Sequence, residues 1–88
     1  MGVDDRRGLV QNGYRYLQLG AFSNPRSAQN LRDSVAELVS APVSVTPVDV
    51  DGQRLSRVRL GPVDDADELQ RLRSLLMEQG FNAGLALP

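Results

Sequence analysis

The chain has 88 residues, a net charge of −1, and neither cysteine nor histidine. That length suits one domain around a single modest core, and the near-neutral charge argues against a protein that attracts polyanions, nucleic acid included, through its overall field. Without Cys or His there is no disulfide, no thiolate metal site and no imidazole to act as ligand or general base, so neither a metal nor a cofactor is expected.

The hydrophobic fraction of 41% comes mainly from Leu, Val and Ala, with only two Tyr and two Phe, so the core must be aliphatic. All 10 basic residues are Arg, whose planar fork meets a carboxylate through two parallel hydrogen bonds in a way Lys cannot. No run of about 18 apolar residues occurs, so no segment is expected to insert into a membrane.

Residues 1–13 mix charges and glycines without periodicity and read as a flexible lead-in, with the domain occupying 14–88. From Tyr14 to Ala21 the pattern alternates. Leu17, Leu19 and Ala21 fall on one face and Tyr14, Tyr16, Gln18 and Gly20 on the other, the period of a half-buried strand. A helix follows, capped by Ser23 or Asn24 with Pro25 in its first turn, and Ala28, Leu31, Val35 and Leu38 form its apolar stripe.

After Ala41-Pro42, two strand-like runs flank Asp51-Gly52, a strong two-residue hairpin signal. That turn sets a register, pairing Val50 with Gln53, Val48 with Leu55, Thr46 with Arg57 and Ser44 with Arg59. Val43, Val45, Val58 and Leu60 then share the core side, while Ser44, Thr46, Arg57 and Arg59 share the opposite side. Pro47 cannot donate to a ladder, which sends its strand to a sheet edge.

A second helix begins after the acidic run at 64–68, carries Leu69, Leu72 and Leu76 on one face, and stops at Gly80. The run from Phe81 to Leu87 reads as a fourth strand. Leu19-Gly20-Ala21-Phe22 is echoed 41 residues on by Leu60-Gly61-Pro62-Val63, which points to two similar β-α-β halves. Interleaved in the right-handed sense, they predict an α+β fold of order β-α-β-β-α-β: a four-stranded antiparallel sheet with spatial order 4-1-3-2. Both helices lie on one face and the other face is open.

Tyr14, Tyr16, Gln18, Arg57 and Arg59 then project together onto the open face, with Ser44 and Thr46 beside them. Flat apolar rings combined with polar forks suit sugars or nucleotides. Gly20 and Gly61 either allow the bend into a helix or leave backbone groups open to a ligand. Phe22 either plugs the core edge or walls a groove. The carboxylates Asp64, Asp65, Asp67 and Glu68 are explained by helix capping, and no nucleophile-base pair or phosphate loop is present, so catalysis is not expected.

Tyr16-Leu17-Gln18-Leu19-Gly20-Ala21-Phe22 and Arg57-Val58-Arg59-Leu60-Gly61-Pro62-Val63 carry a resemblance to the SPOR domain, a peptidoglycan-binding module of bacterial envelope proteins. The Q-x-G-x-F and R-V-x-x-G-P elements are moderately specific as a pair, and the likeness covers about residues 14–87. It implies the same sheet-and-two-helix fold and, as ligand, the "denuded" glycan that remains when amidases remove stem peptides at the division septum. It also implies a monomeric module in the cell envelope, most like those carried by lytic transglycosylases.

By position, the family's groove maps to Gln18, Gly20, Ala21, Phe22 and Ser23, with Tyr16 and Asn24 adjoining, and to Arg57, Arg59, Gly61 and Pro62. Val63 and Ser56 depart from aromatic residues common in the family. Two rivals share the topology. An RNA-binding module of the RRM type would carry stacking aromatics on the third strand, where this chain has none, and a ferredoxin-like interaction module would pair through its open face.

Overall fold

The computed structural model describes residues 15–83 and 85–88. The lead-in and Tyr14 lie outside the described residues. The elements run β1 (Tyr16–Phe22), α1 (Pro25–Ala36), β2 (Val43–Val50), β3 (Gln53–Leu60), α2 (Ala66–Glu78) and β4 (Leu85–Leu87). The sheet order is β2-β3-β1-β4 with all neighbours antiparallel, the expected order read from its other edge.

The hairpin register is as the Asp51-Gly52 turn dictates. Val50 pairs with Gln53, Val48 with Leu55, Thr46 with Arg57 and Ser44 with Arg59. Asp51 (φ 52°) and Gly52 (φ 79°) both adopt left-handed backbone, the conformation that lets a two-residue loop follow the twist of its strands. β2 sits at an edge, where the missing N–H of Pro47 costs nothing to the interior of the sheet. The Arg32 Nε on α1 donates to the Val43 carbonyl at 3.1 Å and ties the helix to that strand.

One aliphatic core joins the helices to one face of the sheet. Leu17, Val58, Leu60, Val35, Leu69 and Leu76 are its largest fully buried side chains. Asn24 caps α1 by accepting from the Arg26 N–H, and Asp65 caps α2 by accepting from the Asp67 N–H, each at 2.9 Å. Asp67 and Glu68 in the first turn of α2 complement its dipole.

Three expectations change in detail. α1 ends at Ala36, so Leu38 falls beyond its last turn and is exposed; Val39 packs against the core in its place. The fourth strand is shorter than the apolar run, because Phe81 and Ala83 pack onto the core while only Leu85–Leu87 pairs with β1.

The third change lies in β1. Its pairing with β3 steps from Gln18–Arg59 to Gly20–Val58, leaving Leu19 as an extra residue. Such a bulge puts two successive side chains on one side. Leu19 and Gly20 therefore both face the helix layer, and alternation resumes one residue out of phase, so Ala21 moves to the open face opposite Arg57. The bulge keeps Leu19 buried and still lets the Phe22 ring pack on the core.

Candidate functional site

Cross-strand partners share a face, so the register spells out the open side of the sheet row by row. One row reads Leu85, Gln18, Arg59, Ser44 from β4 to β2; the next reads Ala21, Arg57, Thr46. Tyr16, beside Leu87, begins the face at one end, and the pair Val48–Leu55 closes it toward the hairpin. Arginines thus occupy the middle of the sheet. Small or neutral residues stand beside them, with aliphatic residues at the β4 edge and toward the hairpin.

Among the described residues neither arginine makes an ion pair. The Arg59 guanidinium carbon sits 4.5 Å from the centroid of the Tyr16 ring, a cation–π contact. The Nε atoms of Arg57 and Arg59 are buried and lack a hydrogen-bond partner among the described residues.

Other arginines are engaged away from this face. Arg15 pairs with Asp64 at 2.9 Å, Arg32 with Asp33 at 2.9 Å and Arg54 with Asp49 at 3.4 Å, and Arg71 pairs with Glu68. The last contact, chiefly its hydrogen bond, raises the pKa of the exposed Arg71 guanidinium above its ordinary value. Among the described residues no Asp or Glu occupies a strand position on the open face.

Tyr16, Gln18, Ala21, Arg57 and Arg59 are therefore brought together. Gly20 and Phe22 are turned toward the helices: a Cβ on Gly20 would lie 2.9 Å from the Phe22 ring, so this glycine makes room for an aromatic side chain. Gly61 is buried as well. Its φ is +130°, a Cβ there would lie 2.6 Å from the Arg15 carbonyl oxygen and 2.9 Å from the Tyr16 ring, and its N–H donates to the Pro42 carbonyl. At both glycines the space of the absent side chain is taken up by close packing, with Phe22 at one and with Arg15 and Tyr16 at the other.

Ser23 and Asn24 are exposed where β1 leaves the sheet, with the Asn24 side chain engaged as the helix cap. The exposed Pro62 follows the cis Gly61-Pro62 bond at the far end of β3. Since β1 and β3 are antiparallel, these two groups lie at opposite ends of the sheet. Val63 is buried in the core and Ser56 pairs with Phe22 and Pro47 on the helix side, so neither departure from the family pattern alters the open face.

The aliphatic margins of the face went unnoticed in the sequence. Leu85 is 52% exposed and Val50 47% exposed, with Val48 and Leu55 half-buried. The register at Asp51-Gly52 already implied that Val48 and Leu55 share the side of Arg57. Leu85 carried no such signal, because the start of β4 depends on where the core absorbs Phe81 and Ala83.

Comparison with known proteins agrees with this geometry. Over 56 residues the chain is 46% identical to the endolytic peptidoglycan transglycosylase RlpA of Pseudomonas aeruginosa, in each of two strains. That stretch is 64% of this chain and 16% of the transglycosylase, so the chain spans only a small part of that enzyme's length. The crystal structure of the RlpA SPOR domain from Pseudomonas aeruginosa superposes with a TM-score of 0.80 at 35% identity, covering 84% of this chain and 97% of that one.

The solution structure of the peptidoglycan binding domain of the B. subtilis cell wall lytic enzyme CwlC shares the fold, with a TM-score of 0.59 at 23% identity, covering 84% and 85% of the respective chains. Residues 11–86 match the SPOR domain family. With that match spanning nearly the whole chain, and with the sheet, the two helices and the open face in place, the chain belongs to the SPOR domain family.

Proposed function

We propose that this domain binds peptidoglycan glycan strands that lack stem peptides, and that it thereby places an envelope protein at the division septum. Membership of the SPOR family and the similarity to a peptidoglycan transglycosylase support peptidoglycan as the polymer and the cell envelope as the compartment. The domain itself is a binding module.

The observation that carries the reading is the pair Arg57 and Arg59, centrally placed and, among the described residues, without a carboxylate on their own face. Removing a stem peptide converts the lactyl amide of a muramic acid into a free carboxylate, so charge appears where bulk is lost. A guanidinium meets that carboxylate through charge-assisted hydrogen bonds. An intact peptide withholds the charge and collides with the sheet, so one group supplies both attraction and exclusion. Gln18 and Ser44 bond sugar hydroxyls and acetamides, and the Tyr16 ring supplies an apolar wall.

The face is open, so affinity per site is modest, on the order of micromolar, with neutral hydrogen bonds netting about 1 kcal/mol each. A repeating polymer compensates by presenting many equivalent sites. On β3 the open-face residues Gln53, Leu55, Arg57 and Arg59 include no ring for base stacking, which favours a sugar polymer over RNA. The module acts as a monomer, which sedimentation velocity of the purified domain checks.

The test is co-sedimentation with sacculi before and after amidase digestion. The domain is expected to pellet with digested sacculi only, and the double variant Arg57→Ala, Arg59→Ala to stay in solution with an unchanged circular dichroism spectrum. Equal pelleting with undigested sacculi, or retained binding by the folded double variant, overturns the proposal.

A further inference from the structure

Among the described residues the open face is cationic without counterbalance. Arg57 and Arg59 are two residues apart on a central strand, and their cross-strand neighbours Gln18, Ala21, Ser44 and Thr46 are all uncharged. The carboxylates of Asp33, Asp49, Asp64 and Glu68 are already paired with other arginines. Among the described residues, no strand position on this face offers a carboxylate to a cationic ligand. The face turns aliphatic at its β4 edge, at Leu85 in the row of Gln18 and Arg59, and toward the hairpin, at Val48, Val50 and Leu55.

We infer that the site discriminates by the acetylation state of the amino sugars: it accepts N-acetylated strands and rejects strands whose sugars carry free amines. The inference rests on the glycan reading above and adds a second selection to it. An N-acetyl group is neutral and ends in a methyl that suits the aliphatic margins. Its removal leaves an ammonium. On this surface the ammonium faces guanidiniums at short range and has no carboxylate to pair with, and like charges brought together out of bulk water repel strongly. The same arginines that attract the lactyl carboxylate therefore penalise a neighbouring amine. A strand with both groups exposed is zwitterionic, and its ammoniums compete with the protein for its own carboxylates.

The experiment uses amidase-digested sacculi in three states: untreated, chemically N-deacetylated, and N-deacetylated then re-acetylated with acetic anhydride. The domain is expected to bind the deacetylated sacculi at least about tenfold more weakly than the untreated ones, and re-acetylation is expected to restore binding. A second arm uses Thr46→Asp, which places a carboxylate directly opposite Arg57 on the exposed face. This variant is expected to narrow or reverse the preference by weakening binding to acetylated strands and strengthening binding to deacetylated ones.

Equal binding of wild type to acetylated and deacetylated strands overturns the inference, as does an unchanged preference in folded Thr46→Asp. Failure to bind even the untreated, amidase-digested sacculi marks failure of the underlying glycan reading instead, so the two ideas fail in different lanes of one assay.

Discussion

Arg59 is stacked on Tyr16, its guanidinium carbon 4.5 Å from the ring centroid, and the two residues come from adjacent central strands. The ring lies against the guanidinium without neutralising its charge, which an acidic partner would do. Tyr16→Phe keeps the aromatic face and is expected to leave glycan affinity within about twofold of wild type. Tyr16→Leu removes it and is expected to weaken binding by roughly twofold to fivefold, matching a contact of about 0.5–1 kcal/mol. Calorimetric titration with soluble amidase-treated glycan fragments checks the pair; equal affinities for the two variants would remove the ring's role in holding Arg59.

Two glycines should respond differently to a methyl group. At Gly61 the Cβ would sit 2.6 Å from the Arg15 carbonyl oxygen, in a backbone conformation of φ +130°. Gly61→Ala is expected to cost about 2–4 kcal/mol, lowering the melting temperature by about 10 °C or more. Gly52 has φ +79° with nothing within 4 Å of the added atom. Gly52→Ala is expected to cost only about 1 kcal/mol, and Gly52→Asn less, since Asn tolerates that conformation. Thermal denaturation of the three variants gives the ranking.

Phe22 lies on the helix side, packed against the core and over the space that Gly20 leaves. Phe22→Ala is therefore expected to lower unfolding free energy by about 2 kcal/mol in urea titrations, a partly buried aromatic costing less than a fully buried one. The fraction that remains folded is expected to bind amidase-treated sacculi within about twofold of wild type. Lost binding at full stability would place the ring in the ligand contact after all.

Caps and surface ion pairs offer a further contrast. Asn24→Ala and Asp65→Ala each remove a side-chain acceptor from a helix N-terminus and are expected to cost about 1 kcal/mol apiece. The exposed Asp49–Arg54 pair sits on the hairpin, and Arg54→Ala is expected to change stability by less than about 0.5 kcal/mol. Chemical denaturation resolves the difference.

Much of this fold could be read from local chemistry. Asp51-Gly52 determined the β2–β3 register and hence the shared face of Arg57 and Arg59, because a two-residue turn leaves no freedom in pairing. Pro47 correctly sent β2 to the edge. What escaped was set by packing. The repeat of Leu17, Leu19 and Ala21 looks like uninterrupted alternation, and only the demand to bury Leu19 and Phe22 together with Leu17 creates the bulge that turns Ala21 outward and Gly20 inward. Likewise the role of Gly61 depends on where the Arg15 backbone and the Tyr16 ring arrive from another strand, which no run of neighbouring residues specifies. The echo between Leu19–Phe22 and Leu60–Val63 hid this difference, since Gly20 lies within β1 and Gly61 lies past the end of β3.

The extra residue in β1 has an effect on access to Arg57. By shifting the strand's phase, it stations a single methyl, that of Ala21, directly across from this guanidinium on the outer side. A longer side chain there would act as a shutter over the charge from the β1 side, across from the flank that Thr46 holds on β2. Exchanging that residue would tune which polymers gain entry while leaving the interior of the protein untouched.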